Sequence, residues 1–347
     1  MSNGLVLISI GLSDEKDLSL RALEEARRCD HLHLETYTTK LDTDADRLGR
    51  LIGKPVKQLS RINLEEHSEF LLDEASRSRV GILVGGDCLT ATTHVSLLIE
   101  ARRRGIPTEV IHGSSILTAV AETGLSIYKF GKTVTMPLPE KGIADAVLET
   151  LEGNMEQGLH TLILLDLDSE ANKFVNINQA VETLLKSGKP EMFNPNTLVV
   201  GVTRLGSETQ QIRADKAFNV SDIDFGAPPQ ALIIPAGLHF VEAEALIILY
   251  GCPEEAIKDR KIQSTSEKLI KKYVESCRRV LTNLKLKGLP RSVGEPEVNE
   301  LVDHAERYLS DAIYYASEKR GTALSSVSYC EGILDAMRLL GLVEFEW

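Results

Sequence analysis

Up to about residue 250, short runs of β-branched and aliphatic residues alternate with stretches whose apolar positions recur at helical spacing. That alternation predicts βαβ units and an α/β class. Strands are predicted at Leu5–Ile10, His31–Thr36, Val80–Val84, Glu109–His112, Thr133–Met136, Thr161–Asp166, Thr197–Val202 and Gln230–Pro235. The helices between them include Leu18–Cys29, with Asp17 as its cap, and Thr92–Arg104, ended by Gly105.

From Cys252 the strand patterns stop and three helical stretches follow. Ile262, Ile270, Tyr273, Cys277, Leu281 and Leu284 mark an amphipathic helix, and Gly288, Pro290, Gly294 and Pro296 then break the chain. A second helix carries Leu301, Ala305, Tyr308, Ala312 and Tyr315; a third, after Gly321, carries Ala323, Val327, Cys330, Leu334 and Met337. Residues 252–347 therefore read as an all-α appendage, with a basic helix about 262–287 and a helical hairpin about 297–340. No internal repeat or low-complexity tract interrupts either part.

Length agrees with this division, since 347 residues exceed the usual size of one domain and favour two or three units. With 43% hydrophobic and 26% charged residues, the composition is that of a folded globular chain and excludes disordered, collagen-like and coiled-coil classes. A net charge of -12 repels phosphate backbones, so any nucleic-acid role needs a local basic patch. One exists: Lys258 to Arg291 holds eleven Lys and Arg against three acids. A solvated helix face is the commoner outcome of such a run, and contact with RNA or an acidic protein surface the rarer one. The N-terminus lacks a basic segment ahead of the apolar Leu5–Ile10 run, and no uncharged stretch approaches membrane-spanning length, which points to a cytoplasmic protein. Five scattered cysteines without a C-x-x-C pair suggest buried, reduced thiols, with neither a disulfide framework nor a zinc site.

Three predicted strands run straight into glycine-containing turns: Ile10-Gly11-Leu12-Ser13, Val84-Gly85-Gly86-Asp87 and His112-Gly113-Ser114-Ser115. Ligands of open α/β sheets bind beyond the carboxyl ends of strands, so these turns predict a cleft. Neither the G-x-G-x-x-G fingerprint nor a P-loop is present, which removes the main support for ordinary NAD or ATP binding. Asp87 has two roles open to it, hydrogen bonding to a ligand or capping the helix that follows. Asp166 and Asp168 alternate with Leu167 and would face opposite ways on a strand, so they are not read as a metal pair. His31 and His33 share a strand face and read as polar surface.

Other strings carry a resemblance. They are Asp14-Glu15-Lys16-Asp17 after Ile10-Gly11-Leu12, Ala91-Thr92-Thr93-His94 after Gly86-Asp87, Ser115-Ile116 after Val110-Ile111-His112, and Ile127-Tyr128-Lys129-Phe130-Gly131-Lys132. Further on come Gly158-Leu159-His160-Thr161, Asp224-Phe225-Gly226 with Pro228-Pro229, and Leu238-His239 with Val241-Glu242-Ala243-Glu244. Through these, residues 4–250 resemble the archaeal diphthine synthases, S-adenosylmethionine-dependent methyltransferases of the tetrapyrrole-methylase-like class. The last ~50 residues resemble a small archaeal helical domain of unknown function, beyond the point near Gly251 where diphthine synthases normally end.

The resemblance implies two α/β subdomains within residues 1–251, dividing near 132–140, with the cofactor folded in the cleft between them. It carries cofactor contacts onto Leu12, Asp87, Thr90, Ser115, Ile116, Leu165, Leu205 and Gln230. It also implies a homodimer, and translation elongation factor 2 as substrate, methylated on the amine of its modified histidine. Because the cofactor supplies the reactive carbon, no dedicated catalytic side chain is required, and a general base stays open and unassigned. Three departures stand out: the first turn, Gly11-Leu12-Ser13, is two residues shorter than in the family; Gly85-Gly86-Asp87-Cys88 replaces Pro-Gly-Asp-Pro; and Gln230 replaces a histidine. They motivate an alternative, a non-catalytic protein that binds the cofactor or the elongation factor on a degenerate methyltransferase fold. A methyltransferase for a tetrapyrrole precursor is disfavoured by the Ala-Thr-Thr-His and Ile-Tyr-Lys-Phe-Gly-Lys strings.

Overall fold

Leu5, Val6, Leu7 and Ile8 make an unbroken apolar run because the strand they build, β1 (Gly4–Ser9), is covered on both faces. Leu5 and Leu7 pack with Leu71, Leu72 and Leu97, whereas Val6 and Ile8 pack with Ala22, Ala26 and Leu48 on the opposite side. Four more strands, β2 (His31–Glu35), β3 (Val56–Leu59), β4 (Arg79–Val84) and β5 (Thr108–Ile111), complete a parallel sheet of order β3-β2-β4-β1-β5. Helices α1 (Leu20–Arg28), α2 (Ala45–Ile52), α3 (Arg61–Glu65), α4 (Glu69–Ala75) and α5 (Val95–Arg103) accompany it. The structure, a computed structural model, describes residues 3–140, 145–169, 171–187, 189–258, 265–290, 293–316 and 319–347. It divides into two compact units, Met1–Lys261 and Ile262–Trp347.

The second sheet of the first unit is mixed. Its strands β6 (Val134–Met136), β7 (Thr161–Leu165), β10 (Leu198–Thr203), β11 (Gln211–Lys216) and β12 (Gln230–Ile234) lie in the order β11-β10-β12-β7-β6, and only β6 and β7 are parallel. The short strands β8 (Leu167–Asp168) and β9 (Lys173–Phe174) pair beside it. One face packs on α7 (Asp145–Glu156), α8 (Ile177–Leu185) and α9 (Ala217–Val220), the other on α6 (Ile116–Ala119), α10 (Phe240–Tyr250) and α11 (Glu254–Ile257).

All eight predicted strands form, and β3 and β11 join them at sheet edges. Two local details and two boundaries differ from the sequence reading. Ser19, not Asp17, caps α1: its hydroxyl accepts the Ala22 N–H at 3.1 Å. Asp17 instead accepts the Ser13 N–H at 2.7 Å and so holds the first turn. Helix α5 starts at Val95 rather than Thr92, because the Thr92 hydroxyl and His94 Nδ1 both bond back to the Cys88 carbonyl, at 2.8 and 3.0 Å. The chain also reaches the second sheet before residues 132–140: Ile116, Val120, Leu125, Ile127 and Phe130 already belong to its core. The first unit likewise continues past Gly251, since Cys252, Ala256 and Ile257 are buried in that same core.

The second unit is a three-helix module of α12 (Thr265–Asn283), α13 (Glu295–Tyr315) and α14 (Arg320–Leu339). Its core takes Ile270, Val274, Cys277 and Val280 from α12, Ala305, Leu309 and Ala312 from α13, and all five residues expected of α14. Leu301 is 39% exposed, because the buried stripe of α13 runs through Val298 and Leu309 instead. Ile262 lies outside the described residues. The module is not purely helical: β13 (Lys285–Leu286) pairs antiparallel with β14 (Val343–Glu344), each too short to leave a period in the sequence. The five cysteines are free and buried. Among the described residues, no helix is long and apolar enough to cross a membrane.

Candidate functional site

The carboxyl ends of β1, β4 and β5 lie side by side, and the turns after β1 and β4 meet through the main chain. The Gly11 N–H donates to the Gly86 carbonyl at 3.2 Å, and the Gly86 N–H returns to Gly11 at 2.7 Å. Both glycines hold positive φ, +116° and +70°, a region costly for other residues. A Cβ on Gly11 would lie 2.5 Å from Asp17 Cβ, whereas one on Gly86 would meet open space. The main chain at Gly86 is therefore itself part of a cleft wall.

Asp87 ties the second and third turns together. Its Oδ1 accepts the Leu89 N–H at 3.0 Å and the Thr90 hydroxyl at 3.4 Å, while Oδ2 accepts the Gly113 N–H at 3.2 Å and pairs with His112 Nδ1 at 2.7 Å. Burial would raise the pKa of this carboxyl, but the hydrogen bonds from Leu89, His112 and Gly113 together outweigh burial and hold it below the ordinary value. Asp87 does not cap α5, which begins eight residues later; it stabilises the turn at Leu89 and Thr90.

The second sheet supplies the facing wall through Leu164 and Leu165 of β7, Val202 of β10, and Gln230 and Ala231 of β12. Gln230 bonds inward: its Oε1 accepts the Ile177 N–H at 2.9 Å, satisfying a free donor at the start of α8, and its Nε2 donates to the Gly226 carbonyl at 2.7 Å. Arg204, with φ +48°, donates to the Thr203 hydroxyl, to the Phe225 and Ala227 carbonyls and to Thr209. It thereby fastens the loop bearing the cis Pro228–Pro229 bond to the end of β10.

The cleft holds about 860 Å³ of space, part of it open to solvent. Leu12, Asp87, Thr90, Ser115, Ile116, Leu165, Leu205 and Gln230 all line it. Sequence reasoning missed Thr38, Thr39, Leu167, Arg204 and Pro229, which line it too. Thr38 and Thr39 follow β2 as Ser13 follows β1, so the rule of strand carboxyl ends applied to them as well.

Three of the signature strings meet elsewhere in the first unit. Glu242 accepts Lys129 Nζ at 2.5 Å, the Ser126 and His239 N–H groups at 2.9 and 2.7 Å, and His160 Nε2 at 3.1 Å. Burial works against ionising this carboxyl, yet His160, Lys129 and the two main-chain donors pull its pKa down to about 2. The network joins the Ile-Tyr-Lys-Phe-Gly-Lys, Gly-Leu-His-Thr and Glu-Ala-Glu segments, so these strings specify structure outside the cleft.

Two sheets with a cleft at their strand ends fit a methylase of the tetrapyrrole type, the class that the family comparison gives. The profile described as Tetrapyrrole (Corrin/Porphyrin) Methylases matches residues 4–220, and the chain belongs to that family. Within it the chain falls among the diphthine synthases. It is 41% identical over 265 residues to the diphthine synthase of Methanosarcina barkeri, covering 74% of this chain and 99% of that protein. Identity to the diphthine synthase of Methanothermobacter thermautotrophicus is 38%, over 73% of this chain and 98% of that one. A crystal structure of diphthine synthase superposes with a TM-score of 0.68 at 35% identity, covering 73% of this chain and 98% of its own. Residues 263–343 match a second profile, described only as a protein of unknown function.

Proposed function

We propose that the chain transfers methyl groups from S-adenosylmethionine, held in the cleft, to the amine of the modified histidine of translation elongation factor 2. The observation that supports this most is the convergence of eight residues, remote in sequence, on one cleft in a chain that matches diphthine synthases over nearly their whole length. The lining suits such a cofactor. Leu12, Ile116, Leu165 and Leu205 give apolar walls, Gly86 exposes main chain, Thr90 and Ser115 carry hydroxyls, and the ionised Asp87 supplies negative charge opposite a cationic ligand.

When bound, the cofactor supplies an electrophilic methyl carbon; the protein's part is to exclude water and to align the amine. Leu12 and Leu205 come from different sheets, so the two lobes together shield the reacting centre. Gln230 in place of histidine is consistent with activity, because its amide is engaged in holding α8.

We also expect a cytoplasmic homodimer. The exposed apolar side chains of Phe240, Val241, Ile248 and Leu249 along α10 support a contact with a second copy. The deciding experiment incubates the protein with methyl-labelled cofactor and archaeal elongation factor 2 carrying the aminocarboxypropyl histidine. Label on the elongation factor is expected; tight cofactor binding without transfer favours the non-catalytic alternative.

A further inference from the structure

We propose that His112 accepts the proton that the substrate amine must lose, and that Asp87 is the positioning residue that orients it; this rests on reading the cleft as a site of amine methylation. An alkylammonium has no lone pair, so a nitrogen–hydrogen bond must break before a carbon–nitrogen bond forms. The step balances as a transfer: the ammonium N–H bond breaks, an N–H bond forms at His112 Nε2, and the electron pair stays on the substrate nitrogen. The imidazolium then releases its proton to solvent.

The cleft itself offers no better acceptor. Its lining holds two titratable side chains, Asp87 and Arg204. Arg204 is a permanent cation with its donors engaged by Thr203, Thr209, Phe225 and Ala227. Asp87 already accepts four hydrogen bonds. The remaining groups are hydroxyls, an amide and apolar side chains.

His112 stands one bond away, at the carboxyl end of β5, where strand-end turns form the cleft. An ionised carboxylate can only accept, so the 2.7 Å contact with Asp87 places the neutral ring's proton on Nδ1. Nε2 then carries the lone pair. The side chain as a whole is 69% exposed beside the cleft residue Asp87, so the ring is accessible to an incoming substrate. Leu89, Thr90 and Gly113 fix Asp87 from its other sides, so the ring's direction is set by a rigid partner. This is the arrangement by which a buried carboxylate orients a histidine base in other enzymes.

The pair also joins two strand ends, so the test must separate chemistry from structure. His112→Asn keeps an N–H donor near the position of Nδ1 and removes the second nitrogen. We expect single-turnover methyl transfer to fall about 100-fold or more in His112→Asn and His112→Ala. Cofactor affinity by calorimetry should stay unchanged, and added imidazole should restore rate to His112→Ala. Transfer by His112→Asn at the wild-type rate overturns the proposal. A second readout needs no turnover: imidazole nitrogen shifts of the cofactor-free protein should show Nδ1 protonated and Nε2 bare, with the preference lost in Asp87→Asn. A bare Nδ1 in the wild type overturns the proposal whether or not elongation factor 2 is the substrate. Failure of the wild-type protein to methylate the elongation factor would count against the substrate reading alone.

Discussion

His160 donates from Nε2 to Glu242 Oε1 at 3.1 Å while its Nδ1 accepts the Ala236 N–H at 3.0 Å, so both nitrogens of this fully buried ring are used. The ring thereby links the start of β7 to α10 through a carboxylate that also receives Lys129. Removing that carboxylate strands one cation and several buried donors at once. Glu242→Ala should destabilise the first unit by about 3–5 kcal/mol, measured as a shift in its denaturation midpoint.

The same carboxylate makes the first unit sensitive to acid. Its pKa is lowered from 4.5 to about 2, so its contribution is fully present above 4.5 and is lost as the pH falls toward 2. Thermal unfolding followed across this window should show the wild type losing its advantage over Glu242→Gln as Glu242 becomes protonated. A constant difference down to the acid limit would mean that the charge of Glu242 is not what stabilises the network.

Asp87 is expected to matter for cofactor binding as well as for the two turns it joins. Asp87→Ala should weaken S-adenosylmethionine binding by about 1–3 kcal/mol in calorimetry. Unchanged affinity would restrict Asp87 to holding Leu89, His112 and Gly113.

At Gln230 the two ends of the amide can be tested separately from turnover. Gln230→His should alter turnover only modestly, since a neutral imidazole can also donate once and accept once. Gln230→Leu leaves the Ile177 N–H without its acceptor and should cost about 1–3 kcal/mol of stability, read from chemical denaturation. Activity rising by orders of magnitude in Gln230→His from a nearly inert parent would favour the non-catalytic reading.

The helical module should be separable, provided the cut respects the core. A chain ending at Lys261 keeps Cys252, Ala256 and Ile257 in place and should bind cofactor as the full protein does. Ending at Gly251 removes the fully buried Ile257 and its neighbours, and should destabilise the first unit by at least about 2–5 kcal/mol. Loss of the module should also make methylation of the elongation factor slower and less dependent on salt. Lys271, Lys272, Arg278 and Arg279 are exposed on α12, and contacts made through them are screened over about 8 Å at physiological ionic strength.

Strands buried on both faces were legible in the sequence because burial leaves continuous apolar runs, as in Val80–Val84 and Leu198–Thr203. The edge strands β3 and β11 carry Lys57, Gln58, Arg213 and Lys216, which protect a sheet margin and erase the apolar signal. Strand-end turns at Gly11, Gly86 and Gly113 announced the cleft's first wall. Its other wall was harder to see: Arg204 acts through a loop more than twenty residues away, and no local pattern records that partnership. The pairing of Asp87 with His112 was hidden for the same reason, since it joins the ends of β4 and β5, which do not pair with each other and are separated by β1.

The reciprocal main-chain bonds between Gly11 and Gly86 carry a consequence for sequence drift. A join made by peptide groups asks nothing of neighbouring side chains, so Ser13 and Cys88 can depart from the family pattern while the floor between the turns persists. Substitution is instead confined at the two glycines, where Gly11→Ala would press a methyl group against Asp17. The rim of the ligand site can therefore change at Ser13 or Cys88 while its base, held by main chain, stays as it is.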